Sequence, residues 1–88
     1  MLHNIHNALT DAEYIIKNEH FPIQTQYVNC VNGWHNVIFK NDQGDTLEVE
    51  VELDEVRQTV VMAVLVQTGF TNDQRNTIMN TFEDMFHY

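Results

Sequence analysis

The segment from Leu47 to Leu53 alternates strictly between apolar and acidic residues. Because successive side chains of a β-strand point to opposite faces of the sheet, this pattern predicts a strand that buries one face and exposes the other. The exposed face then carries Glu48, Glu50 and Glu52 in a row, about 6.6 Å apart at a rise of about 3.3 Å per residue. Such a row of like charges needs solvent or a positively charged partner to compensate its repulsion.

Two further strands are predicted on either side of the pair Asn32-Gly33, over residues 23–31 and 34–40. Asn-Gly is the strongest short signal for a two-residue β-hairpin turn, since a type I′ turn needs a positive φ at both positions. The turn also sets the pairing of the two strands.

The loop before the acidic strand decides which residues share a face with the glutamates. A five-residue loop would place Glu48 and Glu50 among Ile38 and Trp34, which would bury unpaired carboxylates in the core at high cost. We therefore predict a four-residue loop over 41–44. The core face of the sheet is then predicted to contain Ile23, Tyr27, Val31, Trp34, Ile38, Leu47, Val49, Val51 and Leu53.

Helices are predicted at both ends of the chain. Apolar residues at spacings of three and four over 2–20 form one stripe, which Pro22 ends. A capping box from Thr10 to Glu13 indicates that the regular part of this helix starts at Asp11. A second capping box, Thr71-Asn72-Asp73-Gln74, opens a final helix.

The segment from 54 to 68 has two interpretations. Asp54 is a good N-cap and Gly69 a good left-handed residue after a helix, which favours a helix between them. The β-branched run from Val60 to Val66 is typical of a fourth strand instead. Length and flanking residues favour the helix, and the strand stays open as the alternative.

These elements predict one compact α+β domain over residues 1–88, in the order α-β-β-β-α-α. Three strands form an antiparallel meander, and the helices pack on one face. The other face stays open, and an apolar patch rimmed by acids on such a face marks an interaction surface. Cover by the first helix and pairing with a second copy of the chain are the alternatives. The candidate partner-binding residues on the open face are Glu48, Glu50, Glu52, Val37, Phe39 and His35.

Charge restricts the partners. Thirteen Asp and Glu residues face four Lys and Arg residues, which gives a formal net charge of −9. Such a chain repels nucleic acid and anionic membranes and is attracted to basic protein surfaces. The one cysteine excludes an internal disulfide, and no apolar run approaches the roughly 20 residues of a membrane span. Without a signal-peptide pattern at its start, the chain is predicted to be cytoplasmic.

No residue pattern points to catalysis. His3 and His6 have the spacing of a metal pair, but no acid or thiol completes a site. Cys30, His35 and Glu50 would meet on the open face, where no pocket or oxyanion hole activates a thiol. Phosphate-binding loops, nucleophile elbows and zinc or calcium motifs are missing from the sequence. We therefore predict a protein that is not an enzyme and needs no cofactor or metal.

In its size, its acidity and its predicted order of elements, the chain resembles the small acidic anti-CRISPR proteins with which phages inhibit RNA-guided nucleases. One member of that group has an α-β-β-β-α-α arrangement and imitates DNA. The resemblance covers the whole chain as an outline and involves no sequence motif. It implies a non-catalytic inhibitor that covers the basic nucleic-acid-binding surface of a nuclease or DNA-binding protein. A small adaptor or structural subunit and an immunity protein that neutralises a basic toxin are the alternatives.

Overall fold

The computed structural model describes residues 1–87 and contains a four-stranded antiparallel sheet with two α-helices on one face. The strands lie in their order along the chain, so each pairs with its neighbour in sequence. A bridge between Leu2 and His87 joins the two ends of this part of the chain. The elements are α1 (Ile5–Glu19), β1 (Gln24–Val31), β2 (Trp34–Lys40), β3 (Thr46–Asp54), β4 (Thr59–Thr68) and α2 (Asn72–Asp84).

The first helix, α1, spans Ile5–Glu19, inside the predicted range of 2–20, and only the start of its regular part at Asp11 is wrong. Asn4 caps it with a side chain that accepts a backbone N–H of the first turn. Glu13 takes no part in a capping box. Its Oε1 accepts the backbone N–H of Thr25 at 2.6 Å and the Thr25 hydroxyl at 2.7 Å, which ties α1 to β1.

The capping box predicted for the last helix is confirmed. Oγ1 of Thr71 accepts the backbone N–H of Gln74 at 3.1 Å, and Oε1 of Gln74 accepts the backbone N–H of Thr71 at 2.9 Å. The apolar stripe of α2 then faces the sheet. Phe82 meets Phe39 edge-on, with 5.4 Å between the ring centroids.

Residues 59–68 form a strand, so the predicted helix over 54–68 is wrong. β3 continues to Asp54, whose Oδ1 accepts the backbone N–H of Arg57 at 3.0 Å and closes a turn. β4 then returns antiparallel to β3. Its β-branched residues favour a strand, because they lose side-chain freedom in a helix. The α+β class is confirmed, but the prediction of three strands and three helices is wrong.

Strands β2 and β3 pair one residue away from the predicted register. Lys40 pairs with Thr46, so the loop has five residues, 41–45, and the predicted four-residue loop is wrong. Asn41 holds this loop, because its Oδ1 accepts the backbone N–H groups of Gln43 and Asp45 at 3.0 and 2.9 Å. A slip of one residue exchanges the two faces of a strand relative to its neighbour.

This slip moves Val37 and Phe39 into the core and Trp34 and Ile38 onto the other face. Both Val37 and Phe39 are fully buried. The five-residue loop costs no buried carboxylate, because Trp34 and Ile38 share the exposed face with the glutamates. The prediction of Trp34 and Ile38 in the core is therefore wrong, whereas Ile23, Leu47, Val49 and Val51 are buried as predicted. The buried apolar residues are Leu2, Ile5, Ala8, Leu9, Ala12, Ile16, Ile23, Val37, Phe39, Leu47, Val49, Val51, Phe70, Ile78, Phe82 and Phe86.

The Asn32-Gly33 turn is confirmed, with positive φ at both residues. The register that it sets continues only as far as Asn29, because a β-bulge at Val28 follows. Beyond the bulge Tyr27 pairs with Val37, so Tyr27 lies at the edge of the core. Val31, predicted in the core, is 53% exposed. No helix in residues 1–87 is long and apolar enough to cross a membrane.

Candidate interaction surface on the open sheet face

The open sheet face is the side of the sheet that lies opposite the helices. Its centre is formed by β2 and β3, and its flanks by β1 and β4. The register assigns the following residues to it: Gln24, Gln26, Asn29, Val31, Trp34, Asn36, Ile38, Lys40, Thr46, Glu48, Glu50, Glu52, Asp54, Thr59, Val61, Ala63, Val66 and Thr68. The bulged residues Val28 and Leu65 line the same face.

The acidic row of Glu48, Glu50 and Glu52 lies along β3, and all three side chains are partly exposed. Their directly paired neighbours are uncharged: Glu48 lies between Ile38 and Val66, for example. Lys40, the next residue of β2 on this face, lies diagonally across from Glu48. Within residues 1–87 no Lys, Arg or His side chain forms an ion pair with any of the three. The row therefore keeps its charge available for a molecule outside the chain.

Exposed apolar side chains flank the acidic row on both sides. On β1, Val28 is 45% exposed; on β4, Val61 and Leu65 are 49% and 51% exposed. Trp34 and Ile38 between them are half-buried. The open sheet face thus combines hydrophobic area with a central line of carboxylates, which is the composition of a docking surface.

A groove of about 200 Å³ crosses this face between two β-bulges. Its rims are the two bulged residues, Val28 of β1 and Leu65 of β4, and Ile38 and Glu48 contribute to its lining. Bulges kink a strand and redirect its side chains, which opens the space between them. The groove is smaller than a typical small-molecule pocket. Its size suits one long side chain of a partner.

His35 lies on the helix side of the sheet, so its predicted place on the open face is wrong. It pairs with Val51, whereas Glu50 pairs with Asn36, and the expected grouping of Cys30, His35 and Glu50 does not form. The same slip removes Val37 and Phe39 from the open face. Of the six candidate residues, the three glutamates lie where they were predicted, and their role in binding stays a prediction.

On the helix side, Tyr27 and His35 form a hydrogen bond, with 2.8 Å between the Tyr27 hydroxyl and Nδ1 of His35. Burial lowers the pKa of His35, and the nearby charge of His6 lowers it further. Burial, together with the charge of Cys30, raises the pKa of Tyr27. The neutral imidazole therefore accepts at Nδ1 while the protonated phenol donates, which is a structural contact between β1 and β2.

No cluster of three or more His, Cys, Asp or Glu side chains suited to a metal ion occurs in residues 1–87. Comparisons with protein-family models, curated proteins and solved structures found no match to this chain. The resemblance to anti-CRISPR proteins stays a hypothesis from size and charge, since the order of elements is α-β-β-β-β-α.

Two features of this surface were missed from the sequence. The residues that flank the acidic row on β4 were assigned to a helix, and Trp34 and Ile38 were assigned to the core. The run from Val60 to Val66 is uncharged and too apolar for a helix that buries only one face. This was the available signal that the β4 residues form a strand. The placement of Trp34 and Ile38 depended on the length of the loop between β2 and β3, because a change of one residue exchanges the faces of the paired strands.

Proposed function

We propose that this protein is a non-catalytic inhibitor whose open sheet face covers a basic, nucleic-acid-binding surface on a partner protein, such as a nuclease or a DNA-binding protein. The observation that carries this proposal is the row of Glu48, Glu50 and Glu52 at the centre of that face, with no basic side chain paired to it.

Electrostatics favours such a partner. Each strand of B-DNA presents one charge per roughly 3.4 Å of axis, and proteins that bind it align Lys and Arg residues to meet those charges. A line of carboxylates along a strand offers a comparable set of fixed anions. Attraction between the two surfaces speeds association, and salt screens it.

The apolar flanks supply the hydrophobic contribution that charge alone does not. Trp34 and Ile38 lie next to the acidic row, and apolar anchors of this kind hold most of the binding energy of a protein interface. The groove between the bulges fits a Lys or Arg side chain: Val28, Ile38 and Leu65 contact its aliphatic stem, and Glu48 pairs with its charged end.

A cytoplasmic location fits this function. The fold uses no disulfide, and its cysteine, Cys30, is free and exposed. Such a thiol persists in a reducing compartment.

The test begins with capture of partners from a host lysate at low and at high salt, followed by competition with duplex DNA. We expect a captured nucleic-acid-binding protein to be released both by salt and by DNA. The triple variant Glu48→Gln, Glu50→Gln, Glu52→Gln should weaken its binding at least tenfold at low salt, because it removes the whole acidic row while keeping the size of each side chain.

The matched control is the triple variant Asp11→Asn, Glu19→Gln, Glu83→Gln, which removes the same charge from exposed helix positions. It should bind within about twofold of the unmodified chain. Equal binding by the two triple variants at low salt contradicts the proposal. A captured basic protein that DNA does not displace favours an antidote to a toxin instead.

A second function, as an adaptor or structural subunit, is favoured by the exposed apolar residues of β4, Val61, Leu65 and Val66. Binding of that kind depends little on salt, since it buries uncharged area. It would be lost in Leu65→Asp and kept in the triple Gln variant, which separates it from the first proposal.

A further inference from the structure

Strand β4 forms one edge of the sheet and is the less protected of the two edges. Its ten residues, Thr59–Thr68, include no charged residue and no proline. Val61 and Leu65 are exposed on the open sheet face. Val64, which pairs with the buried Val49 and therefore lies on the helix side, is also 39% exposed. The strand is thus accessible on both faces as well as along its edge.

The opposite edge, β1, is protected in two ways that β4 lacks. The helix α1 packs against it, and Glu13 of α1 binds the outward backbone N–H of Thr25. Each edge strand also has one bulge, at Val28 in β1 and at Leu65 in β4, so bulges do not distinguish the two edges. Within residues 1–87 no side chain forms a hydrogen bond to the backbone of β4. Natural sheets protect their edges with charge, proline, bulges or cover, because a free edge pairs with other strands.

We propose that β4 pairs antiparallel with β4 of a second copy of the chain, so that two four-stranded sheets join into one continuous sheet across a two-fold axis. The free backbone groups of each edge then find partners, and the exposed valines meet across the strands. Because β1 is protected at the far edge of each copy, the assembly closes as a dimer and does not extend into a fibre.

Charge explains why a second copy fits this edge. Each chain carries a net charge of −9, yet β4 brings no charged side chain to the junction. Antiparallel pairing places the turn with Glu55 and Arg57 of one copy beside the end of β4 in the other. That end lies near Arg75, whose Nη1 donates to Oε1 of Gln67 at 3.3 Å, and Asp45, which contacts Gly69. Both signs therefore occur at each end of the pairing.

The two-fold axis of an antiparallel edge pair runs perpendicular to the sheet, so both open sheet faces lie on the same side of the dimer. The acidic rows of the two copies then form one extended surface. A dimer of this kind binds a long basic groove at two points, which raises its apparent affinity without a new contact. The pairing itself does not depend on the proposed inhibitory function.

The test compares Val64→Lys with Val56→Lys by sedimentation equilibrium over a series of protein concentrations. Lysine is a natural blocker of edge pairing, and residue 64 lies away from the glutamates. Val56, which is 95% exposed in the turn before β4, takes the same change in charge as the control. We expect twice the chain mass of 10.3 kDa for the unmodified chain and for Val56→Lys, and the single chain mass for a folded Val64→Lys.

If Val64→Lys does not fold, amide hydrogen exchange of the unmodified chain tests the pairing of β4 instead. The backbone N–H groups of β4 should gain protection as protein concentration rises, and those of β1 should not. A monomer at every concentration overturns the proposal, as does a folded Val64→Lys that remains a dimer. A dimer lost only in Ile38→Lys would show pairing through the open sheet face, which also overturns it.

Discussion

Tyr27 and His35 form a contact whose geometry depends on the protonation of one imidazole. The Tyr27 hydroxyl lies 2.8 Å from Nδ1 of His35, and the ring of His6 packs against Tyr27 at a tilt of 47°, with 4.4 Å between centroids. A protonated His35 would carry hydrogen on Nδ1 and lose its acceptor there. It would also face the charge of His6. Burial, followed by the charge of His6, lowers the pKa of His35, so the fold stabilises the neutral form.

This contact predicts a loss of stability in mild acid. The pKa of His35 in the folded chain lies below its ordinary value of 6.5, so the unfolded chain binds more protons as the pH falls below neutrality. The contribution of His35 is complete above pH 6.5 and decreases as the pH falls through 6.5 toward the folded pKa. Urea unfolding over a pH series measures it.

His35→Gln should flatten that part of the pH dependence, because glutamine does not titrate. His20→Gln, which changes an exposed histidine at the end of α1, serves as the control and should keep the slope of the unmodified chain. An unchanged slope in His35→Gln would show that another group is responsible.

The pKa of Glu13 is also set by opposing influences. Burial is the largest influence on its pKa and raises it, but hydrogen bonds from Thr25 and the interaction with Lys17 together outweigh burial, so the pKa lies below its ordinary value. The ionised carboxylate therefore persists in the folded chain. It holds α1 on the sheet and occupies a backbone N–H at the β1 edge.

At the scale of the elements, the ends of β3 and β4 meet at one crowded point. Asp45 precedes β3 and Gly69 follows β4, and a Cβ atom on Gly69 would overlap the Asp45 side chain at 1.7 Å from its Oδ1. Asn41 holds that side chain in place with a 2.8 Å hydrogen bond. The glycine is therefore required for space as well as for its φ of +82°.

Gly69→Ala should consequently destabilise the fold more than Gly44→Ala. Both glycines have a φ of +82°, so both substitutions strain the backbone by roughly 1 kcal/mol. At Gly44 a Cβ has open space, whereas at Gly69 it displaces Asp45. Thermal and urea unfolding measure the loss of stability in each of the two variants. Equal losses would show that the Asp45 side chain moves aside without cost.

The elements that sequence predicted well are those with a local chemical signal. The Asn32-Gly33 turn needs two positive φ angles, and the Thr71 capping box satisfies two backbone N–H groups at once. The segment 59–68 has only a weaker signal: its β-branched residues favour a strand, but Asp54 and Gly69 on either side suit the ends of a helix. Pairing with β3, a tertiary contact, decided between them.

The whole molecule combines a large negative charge with an uncovered apolar surface. The charge of −9 keeps copies apart in solution, while Leu65 and its neighbours on β4 favour association. Pairing through the uncharged β4 edge is compatible with both properties, because electrostatic repulsion between copies is weakest there.

This balance predicts association beyond the dimer as the pH approaches the isoelectric point of about 4.6. Light scattering should rise there at low salt, because repulsion disappears while the apolar area remains. Val64→Lys should scatter less than Val56→Lys, since the two share a charge but only the first blocks the β4 edge. Circular dichroism at each pH separates association of folded chains from aggregation of unfolded ones.

The sequence by itself determined the α+β class, the exposure of the glutamates on β3, and the positions of the Asn32-Gly33 turn and of the start of α2. Each of these follows from residues close together in the chain. The tertiary structure decided which face of β2 joins the core. Trp34 and Ile38 on one face are as apolar as Val37 and Phe39 on the other, so the pattern of β2 alone allows both registers. Only packing of Val37 and Phe39 under the helices selects one, and the acidic row consequently lies beside Trp34 and Ile38.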